Sequence, residues 1–176
     1  MDVQSDLENR LATVESQLNE ITHSCAHCPG GPHPMTSSGP RPAFMAALSS
    51  DPFSCFPDSP LIFDNVKLNV GSPYDARHGT FRAPRNGTYF FAATLTASPD
   101  SYFHMKFVIN SLTNEVGYLY ADGQHPDFLE RSTSIVVRLN AGDDVWIACI
   151  YDSHVSGGHS GTARDYHSHF EGFLVD

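Results

Sequence analysis

No apolar run in these 176 residues approaches the ~20 that a helix needs to cross a bilayer. Short runs, such as Ile147 to Tyr151, suit the inside of a packed fold, so no transmembrane segment is expected. Basic residues are scarce: ten Lys and Arg face twenty Asp and Glu, a formal charge of −10. A chain so acidic repels polyanions, which excludes nucleic acid as the expected partner. Charge of either sign is sparse at 17%, and there is a single tryptophan. Twelve Phe, seven Tyr and 40% hydrophobic content nevertheless describe a packed domain, not an acidic disordered chain. At ~100 to 200 residues per domain the length holds one core and a short appendage. Residues 1–20 lack the apolar centre of a signal sequence, so the chain reads as mature or made without its leader.

Catalytic patterns are missing too. Gly158-His159-Ser160-Gly161 is one residue short of a Gly-x-Ser-x-Gly elbow and lacks a strand-turn-helix frame. No acid and base stand paired elsewhere. The chain is expected to bind, not to catalyse, and to need no organic cofactor.

What is present begins with a stripe. Leu7, Leu11, Val14, Leu18 and Ile21 are spaced 4, 3, 4, 3, and the rhythm continues to Cys25 and Cys28. This is a heptad seam, with Leu11, Leu18 and Cys25 at a and Leu7, Val14, Ile21 and Cys28 at d. So short a helix is marginal alone in water, so the stripe implies self-association; packing against its own domain is the other reading. Cysteines on the seam meet their equivalents from neighbouring chains, which predicts interchain disulfides at Cys25 and Cys28. The surrounding His23, His27 and His33 offer a rival role for the same sulfurs, as metal ligands. Pro29 to Pro42, rich in Pro, Gly, Ser and Thr, ends the helix and reads as a flexible linker. The expected organisation is a coiled-coil stalk over 1–28, a linker over 29–42 and a globular head over 43–176.

Beyond residue 43 hydrophobicity alternates with period two, and turn residues punctuate it at short intervals, as in all-β sandwiches. The expected strands are 44–48, 61–68, 79–82, 88–98, 102–109, 116–120, 132–139, 144–151 and 170–175. Gly79 and Gly87 suit turns with positive φ, and Phe81, Tyr89 and Phe91 alternate onto one face. Trp146, opposite in phase to Val145 and Ile147, reads as a buried anchor. Cys149 lies mid-strand and Cys55 in the Ser49 to Pro60 loop; a bridge between them and a free buried Cys149 are both open. The four cysteines and the acceptor triplet Asn86-Gly87-Thr88, a candidate N-glycosylation site, lean toward secretion.

Phe63-Asp64-Asn65-Val66, Gly79-Thr80-Phe81-Arg82-Ala83-Pro84, Gly87-Thr88-Tyr89-Phe90-Phe91, Leu139-Asn140-Ala141-Gly142-Asp143-Asp144-Val145-Trp146 and Phe170-Glu171-Gly172-Phe173-Leu174 follow in order. With these motifs, residues 43–176 resemble the globular head of complement C1q, over roughly three quarters of the chain. The resemblance implies a ten-strand jelly-roll sandwich, related to tumour necrosis factor, that forms compact homotrimers and is not an enzyme. There is no Gly-X-Y collagen stem; the short heptad stalk is instead similar to that of secreted invertebrate, mollusc-type proteins with this head.

The implied function is secreted, lectin-like pattern recognition in innate immunity, with microbial or host glycans, sialylated ones included, as ligands. An extracellular calcium or transition-metal carrier, of the kind found in shell matrix or extrapallial fluid, is the alternative, and a cytokine-like receptor ligand the third. Relatives with calcium near the trimer axis make Asp100, then Asn114 and Glu115, the calcium candidates. His154, His159, His167 and His169 fall within sixteen residues. Neutral imidazoles on one strand face can hold zinc or copper, and a solvated polar loop is the plainer reading.

Overall fold

The computed structural model describes residues 10–17, 39–49, 53–123, 125–157 and 167–176. The chain divides into two units, Met1–Ser38 and Gly39–Asp176. In the first, residues 10–17 form an α-helix on which Leu11 and Val14 are both exposed. Leu7, Leu18, Ile21, Cys25 and Cys28 lie outside the described residues.

In the second unit the described strands are β1 (Ala43–Ala47), β2 (Phe53–Cys55), β3 (Asn65–Val70), β4 (Tyr74–Asp75), β5 (Thr80–Arg82), β6 (Gly87–Ala97), β7 (Phe103–Ile109), β8 (Ser111–Ala121), β9 (Leu129–Leu139), β10 (Asp144–Cys149), β11 (Ser153–Val155) and β12 (His169–Leu174). Ten of them form two five-stranded sheets, in the orders β3-β1-β12-β6-β9 and β4-β5-β10-β7-β8, and β11 pairs with β2 as a separate ribbon. All pairings are antiparallel. The expected ten-strand jelly-roll sandwich is the architecture.

Alternation explains the layering. On β6 Tyr89, Phe91, Ala93 and Leu95 are buried while Phe90, Ala92 and Thr94 face outward, and on β10 Val145 and Ile147 go inward while Trp146 does not. Aromatic rings fill the space between the sheets: Phe44 stacks on Tyr74 at 4.7 Å and meets Phe170 edge-on at 4.8 Å, and Phe81 meets Phe91 edge-on at 5.0 Å. Such pairs are worth about 0.5–1.5 kcal/mol each beyond the area they bury. Gly172 leaves the space that the Phe91 ring occupies.

The departures from expectation have local causes. The strand expected over 61–68 begins only at Asn65, because the chain changes sheets there: Leu61 N–H donates to Ile147 O on β10, whereas β3 pairs with β1. β2, β4 and β11 have three residues or fewer, too few to show a period. Trp146 is half-buried, not a buried anchor, because the phase that puts Val145 and Ile147 in the core turns the indole outward. Gly79 does take positive φ, at 68°. Gly87 does not; a Cβ there would lie 2.6 Å from Asp176 O, so close packing is what demands glycine.

Candidate functional site

The pairing of β5 with β10 sets Arg82 opposite Asp144, Phe81 opposite Val145 and Thr80 opposite Trp146. Phe81 and Val145 enter the core, so Thr80, Arg82, Asp144 and Trp146 share the outer face of the second sheet. The Arg82 guanidinium grips Asp144 with both arms: Nε donates to Oδ1 at 2.9 Å and Nη2 to Oδ2 at 3.0 Å. That pairing raises the Arg82 pKa above its ordinary value. The turn between β4 and β5 supplies the next groups. Asp75 receives His78 Nδ1 at 2.7 Å and the Arg77 N–H at 2.8 Å, and these bonds, His78 first, hold its carboxyl below the usual carboxylate range.

The facing wall is the loop over 56–62. Asp58 N–H donates to Cys149 O at 2.8 Å, Cys149 N–H to Ser59 O at 3.0 Å and Leu61 N–H to Ile147 O at 2.8 Å, so the loop continues the ladder where β5 ends. A disulfide joins Cys55 to Cys149 at the same place. Below the loop, buried Lys106 reaches Asp58 at 3.5 Å and Glu115 at 2.9 Å. Glu115 also accepts the Tyr118 hydroxyl, and that bond, followed by Lys106, lowers its pKa; the bond to Glu115 raises that of Lys106.

Between these walls lies a groove of about 360 Å³, bordered by Pro60, Ile62, Arg77, Leu112 and Trp146. A second recess of about 570 Å³ adjoins it, since His78, Thr80 and Asp144 line both. Three carboxylates, Asp58 and Asp144 at the groove and Asp75 in the recess, each face a basic side chain, namely Lys106, Arg82 and His78. The Arg77 guanidinium has no ion pair among the described residues. An indole face beside fixed polar groups suits a ligand with one apolar and one hydroxylated side.

The residues named from sequence do not meet in one site. Asp100 sits at φ 58° before β7, its N–H donating to His125 O at 3.0 Å, whereas Glu115 pairs with Val108 toward the far end of the same ribbon. Asp100, Asn114 and Glu115 therefore form no common calcium site within a chain; Asn114 caps Ile109 O at 3.1 Å and Glu115 is bound to Lys106. The histidines separate likewise. β12 starts at His169, so His167 precedes the strand in a bend, anchored where Ser168 Oγ accepts the Thr96 N–H and donates to Ser156 O. His169 lies 3.8 Å from Glu171, and His154, on β11, bonds Ser54 at 3.2 Å. His159 lies outside the described residues, among which no group of three or more His, Cys, Asp or Glu is placed to hold a metal ion. Asn86 is exposed at the turn before β6, its Oδ1 accepting Ala141 N–H at 2.8 Å.

Comparison with known proteins follows the same outline. The C1q domain family profile matches residues 43–175. Complement C1q tumor necrosis factor-related protein 5 of Rattus norvegicus is 32% identical over 137 residues, covering 77% of this chain and 54% of its own length. Heavy metal-binding protein HIP of Mytilus edulis is 32% identical over 83 residues, 47% of this chain and 38% of its own. The chain spans about half or less of the length of these relatives. The globular domain of zebrafish complement 1qA superposes with a TM-score of 0.62 at 18% identity, over 77% of this chain and 98% of that one, a likeness of fold.

Proposed function

The chain belongs to the C1q domain family, and on that premise we propose that it is an extracellular homotrimeric recognition protein that binds surface glycans through the Trp146 groove. The family is one of recognition and signalling proteins, and among the described residues no helix is long and apolar enough to cross a membrane. The observation that carries the glycan reading is the half-buried indole of Trp146 beside the bidentate Arg82–Asp144 pair. A sugar ring stacks its C–H face on the indole while fixed donors and acceptors read its hydroxyls. Arg77, without an ion-pair partner among the described residues, supplies the counter-charge for a sialylated ligand.

Self-association has its own support. Val70, Ala43, Phe173, Phe90 and Val136 are successive cross-strand partners, an apolar row over the outer face of the whole first sheet. Phe173 is 47% exposed and Val136 65%, and so continuous a stripe suits burial against further copies. Three linked heads raise avidity over one site by ~10² to 10⁴-fold where geometry lets them engage together. The mechanism is binding without catalysis.

A glycan array run with and without calcium tests this: saturable binding that Trp146→Ala abolishes supports it, and an empty array overturns it. The likeness to the mussel heavy metal-binding protein supports the carrier alternative. That reading predicts zinc binding lost near pH 6 as histidines protonate.

A further inference from the structure

We propose that the far end of the second sheet carries a separate surface for a basic peptide segment, whose Lys or Arg side chains lie over the tyrosines around His104. His104 projects from β7 four residues, or ~14 Å along the strand, from the partner of Trp146, so this surface is distinct from the groove. Three rings surround the imidazole: Tyr120 stacked at 5.9 Å, Tyr151 edge-on at 5.5 Å and Tyr102 edge-on at 6.2 Å. Register explains the gathering. Tyr120 is the cross-strand partner of His104, and Ile150 N–H donates to His104 O at 2.8 Å, which brings Tyr151 alongside.

The rings are on the surface. Tyr120 is 59% exposed and Tyr151 58%. Tyrosine offers a large rigid face at little entropic cost, and it is enriched where proteins bind partners.

Charge selects the partner. Asp122 lies 4.0 Å from His104 Nε2, Asp152 follows Tyr151, and Asp100 is tied by its N–H to the loop after β8. Over 98–127 and 151–154 the only Lys or Arg is Lys106, which is buried and bound to Glu115 and Asp58; Arg131 on β9 lines a recess with Tyr120 and Asp122, one exposed cation against the carboxylates of Asp100, Asp122 and Asp152. An electron-rich aromatic face in a segment where carboxylates outnumber exposed cations repels acidic ligands and attracts guanidinium or ammonium groups held over the rings.

The test uses the full chain and a labelled nona-arginine peptide at about 0.15 M salt, where exposed charges are screened beyond ~8 Å. Fluorescence anisotropy should show saturable binding that Tyr120→Ala with Tyr151→Ala weakens about tenfold or more. Asp122→Asn should weaken it about threefold to fivefold, and Glu130→Gln, which removes the same charge from an exposed site on β9, less than twofold. Tyr120→Phe with Tyr151→Phe keeps the rings and should bind within about threefold of the parent. Equal losses from Asp122→Asn and Glu130→Gln, with no effect of the alanine pair, would mean diffuse attraction to an acidic protein and overturn the proposal. So would a Phe pair as weak as the Ala pair, or an Ala pair that lowers the mass by light scattering, which would place the tyrosines between copies of the chain.

Discussion

Cys55 and Cys149, 94 positions apart, are joined by a disulfide with Cα atoms 6.1 Å apart, which ties one wall of the groove to the strand that carries Trp146. The closed loop includes most of the second unit, so its loss should matter. Cys55→Ser with Cys149→Ser is expected to lower unfolding free energy by about 2–5 kcal/mol in a denaturant titration. An unchanged midpoint would mean that the ladder from Asp58 to Leu61 holds the loop unaided.

The apolar row of the first sheet predicts assembly. Phe90 and Phe173 meet at 5.3 Å on its outer face, away from the core. In a fragment of residues 39–176, Phe173→Glu should convert a trimer to a monomer by light scattering while the β-sheet circular dichroism persists. A monomeric parent fragment, or a variant that stays trimeric, contradicts the row as the contact.

The stalk gives a covalent prediction. Cys25 and Cys28 continue the heptad of Leu11 and Leu18, so non-reducing gels should show cross-linked chains that Cys25→Ser with Cys28→Ser abolishes. Equal migration with and without reductant counts against interchain bonds.

Acid stability follows from carboxylates held below their ordinary range. Asp143 accepts Asn110 Nδ2 at 2.9 Å and Asn140 N–H at 2.7 Å, and these bonds, Asn110 first, lower its pKa. Asp75 and Asp176 are lowered by His78 and Thr88 in the same way. A group whose folded pKa is depressed stabilises fully above its unfolded value, near 4, and loses that contribution as pH falls through the folded one. Unfolding free energy should therefore drop below about pH 4, less steeply for Asp143→Asn. The same slope in the variant would place the acid sensitivity elsewhere.

Much of the head was legible because period-two burial writes itself into sequence: Phe81, Tyr89 and Phe91 alternate, and all three are core residues. The site was harder to read. Thr80 and Arg82 meet Trp146 and Asp144 only through the register of β5 against β10, across more than sixty positions, which no local pattern encodes. The alternation of Val145, Trp146 and Ile147 did hold the clue that the indole faces outward, but the strength of tryptophan as a core residue outweighed it. The histidines were read from closeness in sequence alone. Closeness in sequence suggested a cluster, whereas His154 pairs with the ribbon at Ser54 and His169 enters β12 beside Thr94.

Trp146 is the only tryptophan, so its emission reports on the groove alone. Titrating the full chain with a glycan selected on the array should shift or quench that emission saturably, with the midpoint found by calorimetry. A glycan that binds by calorimetry while the emission stays constant, and binds Trp146→Ala equally well, would contradict recognition through this groove.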